Sequence, residues 1–254
     1  MDIIPIKLSV TTCYLIKAAG KYVLIDTGYA EDWELFLKRM KEAGVSISQI
    51  SHIILTHHHD DHCGLLHNII KENASVKVVM SPLCRELIKV GRNDISHGGG
   101  LLNKRVAYLI KHKQFYVSMV LHKKVDKANN LKFSPYIFRS GDIIVEDGTK
   151  LKDIGIPLDG KIIETPGHTV DSISILFDNG DCFVGDAAAH MLSFAGTKYC
   201  VIFICNMDDY YKSWNKIISE GAEYIYPAHG RPYPVKKLIK NIGKNKAENI
   251  VHYN

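Results

Sequence analysis

With 254 residues, 46% apolar and 23% charged, the chain has the balance of a soluble globular protein and the length to bury a substantial core. It lacks an apolar run of bilayer length, and residues 1–20 lack the basic, apolar and small-residue order of a leader, which argues against a membrane protein and predicts a cytoplasmic one. Six cysteines without a CxxC pair read as reduced thiols, and a net charge of +5 permits an anionic substrate but is too mild to predict nucleic-acid binding.

In chain order, residues 6–10, 14–16 and 22–26 read as short strands, the last two joined by an Ala19-Gly20 turn. Trp33, Phe36, Leu37 and Met40 recur at helical spacing, and Gly44 stands at the stop. An apolar strand over 50–55 runs directly into Thr56-His57-His58-His59-Asp60-Asp61-His62-Cys63-Gly64. Residues 65–71 then predict a helix, 76–80 a strand, and Pro82 opens another helix at a favourable first-turn position. The stretch from about 92 to 140 breaks this rhythm with a Gly98-Gly99-Gly100 hinge and a Lys-rich helical segment carrying Tyr108, Phe115 and Tyr116. Strand signals return at 143–145, 161–164, 172–177 and 182–184. Asn206 stands as the cap of a helix reaching Ser219, with Tyr210, Trp214, Ile217 and Ile218 on one face. Residues 223–226 form a final strand and a basic helix closes the chain. Strands and helices mix without a repeat or a low-complexity linker, so residues 1–254 read as one α/β domain with a helical segment inserted at about 92–140.

Four potential metal ligands, His57, His59, Asp61 and His62, fall within six residues, on a loop that a strand enters and Gly64 leaves. The C-terminal ends of strands are where α/β sheets place their ligands. Extended backbone projects 57, 59 and 61 to one side, and a turn then lets Asp61 and His62 address a second position. Imidazole and carboxylate together suit zinc, with iron or manganese as alternatives. A catalytic zinc keeps one position open for water, so two ions need more ligands than this cluster holds. Three later places repeat the order of strand, turn and ligand: His168 after Thr165-Pro166-Gly167, Asp186 after Val184-Gly185, and His229 after Pro227-Ala228. Each alone reads equally well as a loop histidine or a helix cap; together they predict several strand ends converging on one pocket.

These motifs resemble those of the metallo-β-lactamase superfamily, whose hydrolases carry T-H-x-H-x-D-H-x-G, matched from Thr56 to Gly64 without a departure. The resemblance extends to Leu24-Ile25-Asp26-Thr27-Gly28, Thr165-Pro166-Gly167-His168-Thr169, Gly185-Asp186 and Ala228-His229-Gly230, and leaves out about 92–140. It implies a four-layer αβ/βα sandwich with the site on the edge between two sheets. It also implies two metal ions, taken as zinc: His57, His59 and His168 on the first, Asp61, His62 and His229 on the second, and Asp186 bridging, with Asp26 as a buttress. Asp rather than Cys at the bridge, and His62 after Asp61, resemble the glyoxalase-type thioesterases and lactonases more than the commonest secreted β-lactamases. His59 stands where flavodiiron oxygen reductases carry Glu.

The expected function is hydrolysis of a small ester, thioester or lactone by a hydroxide held between the metals, with Asp61 also orienting it and shuttling a proton. The alternatives are a phosphodiesterase of the same fold, a mononuclear iron persulfide dioxygenase, and a metal-binding signalling protein with little turnover. The partner expected is a small-molecule substrate, not nucleic acid or membrane; nothing in the sequence indicates an oligomeric state. His58 and Asp60 are expected to point away from the metals, Cys63 to be a buried thiol, and His52, His67 and His190 to be structural. The inserted segment, with His97, His112 and His122, is expected to form a lid. Its Lys104, Arg105, Lys111, Lys113, Lys123 and Lys124 read as a solvated helix face.

Overall fold

The computed structural model describes residues 1–94, 96–121 and 133–252, and for 113–121 the helical backbone only. Strands β1 (Ile3–Lys7), β2 (Thr12–Ala18), β3 (Lys21–Ile25), β4 (Ile50–Ile54) and β5 (Lys77–Met80) precede a short β6 (Gly100–Leu101) and β7 (Ile143–Ile144). All but β6 form one sheet in the order β1-β2-β3-β4-β5-β7, antiparallel across β1 to β3 and parallel from β3 onward. The predicted Ala19-Gly20 turn closes the β2–β3 hairpin with both residues left-handed, at φ 46° and 82°, the mirror-image turn whose twist matches its strands.

The second half supplies β8 (Gly160–Glu164), β9 (Ile173–Phe177), β10 (Asp181–Gly185), β11 (Phe203–Ile204), β12 (Tyr224–Pro227), β13 (Tyr233–Pro234) and β14 (Val251–His252). A second sheet runs β13-β12-β10-β9-β8, and a three-stranded ribbon runs β11-β6-β14. Among the described residues the helices are α1 (Trp33–Glu42), α2 (Asp60–Cys63), α3 (Leu66–Glu72), α4 (Pro82–Ile88), α5 (Lys104–Leu121), α6 (Met207–Ser219) and α7 (Lys236–Ile239). Ser81 caps α4 by accepting from Cys84 N–H, with Pro82 at its first position, and the Asn206 side chain caps α6 by accepting from Asp208 and Asp209 N–H. None of these helices is long and apolar enough to cross a membrane.

Strand alternation explains the layering, because most central strands are apolar on both faces. Leu15, Leu24, Ile53 and Val78 pack outward against Phe36 and Met40 of α1 and Ile69 of α3. Their neighbours Ile16, Val23, Ile25, Ile54 and Val79 face inward and meet Ile162, Ile173, Ile175 and Phe183 of the second sheet. On the far side, Leu176, Cys182, Val184 and Ile225 pack on Tyr210, Trp214 and Ile217 of α6. The order is therefore helix, sheet, sheet, helix, as expected. Phe183 is fully buried between the sheets, and truncating it to Ala costs about 3–5 kcal/mol.

Three local expectations change. Residues 8–11 form a turn, closed by Leu8 N–H on Thr11 O, so β1 lies earlier than the sequence suggests. The closing basic helix shrinks to α7, because turns follow it and Gly243 is left-handed at φ 73°. The β11-β6-β14 ribbon was not expected, since two-residue strands carry no periodicity.

Candidate metal centre

β3 and β4 run parallel, as do β10 and β12, and β8 shares the direction of β10 because both are antiparallel to β9. Five C-terminal strand ends consequently reach one edge of the sandwich, followed by Asp26, the His57–His62 loop, His168, Asp186 and His229. The loop after β4 stays extended through His59 (φ −65°, ψ 151°) and then winds into α2, which brings Asp61 and His62 round together. Two glycines permit the close approach. Gly185 has φ 49°, and a Cβ there would lie 2.4 Å from Thr56 Oγ1; at Gly167 (φ 132°) it would lie 2.4 Å from the Tyr210 backbone.

The seven expected ligands come together. Potential ligand atoms of His57, His59 and His168 lie within 4.8 Å of one another, as do those of His57, His62 and Asp186, and of Asp61, His62 and His229. His59 Nδ1 faces His168 Nε2 at 3.0 Å, and His168 Nε2 lies 3.4 Å from Asp186 Oδ2. His229 Nε2 lies 3.1 Å from Asp61 Oδ2 and 3.3 Å from Asp186 Oδ1, while His62 Nε2 lies 3.5 Å from Asp186 Oδ1. Tetrahedral zinc, with bonds of about 2.0–2.1 Å to nitrogen, sets neighbouring ligand atoms roughly 3.3 Å apart. His57 Nε2, His62 Nε2 and Asp186 Oδ1 are also buried without a hydrogen-bond partner. An orphaned buried polar atom costs about 1–3 kcal/mol, so three at one point suit a cation that would engage all of them. The residues present fit a pair of zinc ions.

The other ring nitrogens are held from behind. Asp26 Oδ2 accepts from His62 Nδ1–H at 2.8 Å, and its Oδ1 accepts from Thr56 N–H at 2.8 Å. The Thr56 hydroxyl donates to Asp26 and lies 3.1 Å from His57 Nδ1, so it accepts from that ring. His168 Nδ1–H donates to Phe203 O at 2.9 Å, and His229 Nδ1 lies 3.3 Å from Val10 O. Such bonds fix the tautomer and present Nε2 to the centre. Asp26 is thus the buttress, in a left-handed conformation at φ 58°.

Charge divides the cluster. Burial, reinforced by neighbouring histidines, holds His57 and His59 well below the usual imidazole range, and burial lowers His168 too. For His62 burial works in the same sense, but Asp61, Asp26 and Asp186 overcome it and push the ring up to about 9. His229 is raised against burial by Asp186 and Asp61. Burial opposes ionisation of Asp61 and Asp186, yet the facing histidines keep both carboxyls below their usual range. The first triad is therefore neutral and the other ligands form a charged network.

His58 and Asp60 point away from this centre. His58 Nδ1–H and its backbone N–H both donate to the buried Asp171 carboxylate at 2.9 Å, and His58 Nε2 accepts from Asp94 N–H. Asp60 N–H donates to Asn93 Oδ1, and Asn93 Nδ2 returns a bond to Asp60 Oδ1. The motif's two variable positions thus anchor the start of the inserted segment. Cys63 is buried and its thiol donates to His58 O. His52 is buried on β4, His67 is exposed, and His190 stacks on Tyr199; none of the three belongs to the ligand groups. His97 pairs with Asp94, and His112 packs on Tyr108. His122, Lys123 and Lys124, and the side chains of Lys113, Phe115 and Tyr116, lie outside the described residues.

Two polar residues near the site escape a reading of the sequence. Asp171 follows His168 by three positions and pairs with a residue 113 positions away, which no local spacing signals. Tyr29 follows the Asp26-Thr27-Gly28 turn, and burial, together with Asp61, Asp60, Asp186 and Asp32, pushes its phenol far up, so it remains a donor.

Fold and site together define an αβ/βα sandwich with a candidate metal centre on its edge. The chain belongs to the metallo-beta-lactamase superfamily, which it matches over residues 6–229. A beta-lactamase-like protein 2 homolog of Caenorhabditis elegans is 28% identical over 233 residues, covering 89% of this chain and 58% of that protein. A probable metallo-hydrolase of Bacillus subtilis (strain 168) is 23% identical over 257 residues, covering 93% of this chain and 73% of that one. The chain spans 58% of the length of the nematode protein and of its Drosophila melanogaster counterpart. Among solved structures, a metallo-beta-lactamase family protein from Thermus thermophilus superposes with a TM-score of 0.65 at 16% identity, covering 96% of this chain and 78% of that one. A subclass B3 metallo-beta-lactamase of Bradyrhizobium japonicum does so at 0.63 and 16%, covering 95% and 88%. At these identities the likeness is one of fold.

Proposed function

We propose that the chain is a dinuclear zinc hydrolase acting on a small ester, thioester or lactone. The observation that carries the reading is the convergence of three orphaned buried atoms, on His57, His62 and Asp186, on a point ringed by four further ligands. His57, His59 and His168 would hold one ion and Asp61, His62 and His229 the other, with Asp186 between them. When bound, the ions supply Lewis acidity and lower the pKa of water to about 7.

The remaining work falls to this chain's own groups. Asp61 stays ionised, with Oδ2 3.1 Å from His229 Nε2 and 3.4 Å from Thr11 Oγ1, and is suited to orient an attacking water and accept its proton. Tyr29 keeps its phenolic proton and offers a donor near the same carboxylates. Asp26 and Phe203 O hold His62 and His168 in orientation before any ligand arrives. Asp at the bridging position and His62 after Asp61 support the ester, thioester and lactone chemistry. Six unpaired cysteines, five of them buried, support a reducing cytoplasmic setting.

The test is a panel of esters, thioesters, lactones and phosphodiesters offered to zinc-loaded protein. Hydrolysis of a carboxylic substrate, abolished by Asp61→Ala, His168→Ala and His229→Ala, is the expected result. Full activity in that trio, or cleavage of phosphodiesters alone, overturns the assignment.

A further inference from the structure

The chain leaving Asp186 forms a loop rooted on the metal edge: His190 N–H donates to His229 O, and Ala189 N–H donates to Tyr199 O. Of the five non-glycine residues with left-handed φ among the described residues, three lie in this loop, namely Leu192 (47°), Lys198 (48°) and Tyr199 (70°). Side chains of this size rarely adopt that conformation, and such strain persists only where the surroundings enforce it. What the loop holds out is Phe194, 74% exposed at its tip.

Phe194 stands against the start of α5. Asn103, which caps that helix by accepting from Val106 N–H, donates through Nδ2 to Ala195 O and ties the two segments together. Between them lies an open groove of about 330 Å3, lined by Lys104, Arg105, Tyr108, Leu109, Phe194 and Ala195. That volume is within the range of small-ligand sites. Tyr108 is 63% exposed, with His112 packed on its ring at 4.1 Å. Among the described residues Lys104 and Arg105 take part in no ion pair, and the sequence of α5 contains no acidic residue to neutralise them. The same ribbon that leads into α5 through β6 pairs with β11, whose Phe203 O orients His168. One wall of the groove therefore continues from Asp186, and the other is joined to the strand behind His168.

Two presented aromatic rings and two unpaired cations make a stacking surface beside an anion site. We propose that this groove is a substrate-recognition subsite for a flat aromatic ring bearing phosphate, a nucleotide-like portion of the molecule cleaved at the metal edge. The proposal rests on the hydrolase reading and supplies the substrate class which that reading leaves open.

Adenosine 5′-diphosphate is the probe, titrated calorimetrically into zinc-loaded protein, alone and against an excess of inorganic pyrophosphate. Expected are saturable binding tighter than that of pyrophosphate alone, weakened by excess pyrophosphate through the Lys104–Arg105 end, and a loss of affinity of about tenfold in Phe194→Ala and in the Lys104→Glu/Arg105→Glu double variant. Both variants should keep their zinc content and thermal midpoint. Absence of binding, equal binding by both variants, pyrophosphate binding as tightly as the nucleotide, or capture only of a single-stranded oligonucleotide would each overturn the proposal. Nucleotide binding in the groove without hydrolysis anywhere in the substrate panel would count against the hydrolase reading alone; hydrolysis without nucleotide binding would count against the subsite alone.

Discussion

Replacing Asp26 with Asn removes one negative charge from behind His62 and leaves the shape nearly unchanged. The backbone tolerates it, because Asn is among the residues that most readily occupy a left-handed position such as φ 58°. The hydrogen bonds do not. Asp26 accepts from His62 Nδ1, Thr56 N and Thr56 Oγ1, at 2.8, 2.8 and 2.9 Å. An amide keeps one acceptor oxygen and turns an NH2 donor toward another donor. Losing an outer-shell carboxylate behind a metal-bound histidine costs about 10–100-fold in metal affinity, equivalent to about 1.4–2.7 kcal/mol. The loss should fall on the site containing His62, and a smaller one on the His57 site, reached through the Thr56 hydroxyl. Competition titration with a zinc chelator, followed by native mass spectrometry, resolves the two steps. Two affinities within about twofold of the unaltered protein, or a larger loss at the His57 site, would refute the reasoning.

Stripping zinc exposes three orphaned buried atoms at about 1–3 kcal/mol each, and 1 kcal/mol is worth roughly 2–4 °C in a chain of this size. The thermal midpoint should therefore drop by several degrees or more on chelation, and equal midpoints with and without chelator would contradict this. His52 gives the pH dependence: burial first, then Lys77 and Lys21, pull its pKa from 6.5 to about 4. A folded pKa below the unfolded one means the contribution is complete above pH 6.5, declines as pH falls, and levels off below about 4. Urea midpoints at pH 7 and pH 5 should differ less in His52→Gln than in the unaltered chain, and an identical difference would exclude His52 as a cause. Gly185→Ala drives a Cβ to 2.4 Å from Thr56 Oγ1 at φ 49°; it should cost about 1–3 kcal/mol and weaken zinc binding, both readable in one thermal scan with and without chelator.

Much of the candidate site is legible because metal chemistry restricts the residue types: His57, His59, Asp61 and His62 stand out by spacing, His168, Asp186 and His229 by their shared place after strands, and the fold brings all seven together. The layering is readable where strands are apolar on both faces, as in Val23, Leu24 and Ile25. Other parts depend on contacts between distant segments. Asp171 and His58 are 113 positions apart, and Asn93 meets Asp60 across 33. Asp26 alone reads as a turn residue, and only the resemblance marks it as a buttress. The loop that exposes Phe194 depends on left-handed Leu192, Lys198 and Tyr199, residue types that give no turn signal.

The claim of a two-metal hydrolytic centre is tested most directly by elemental analysis of the purified chain after zinc loading and removal of free metal. Two zinc per chain, falling below two in Asp61→Ala and His229→Ala, is the result expected. One iron per chain accompanied by oxygen consumption, or no retained metal, would contradict it.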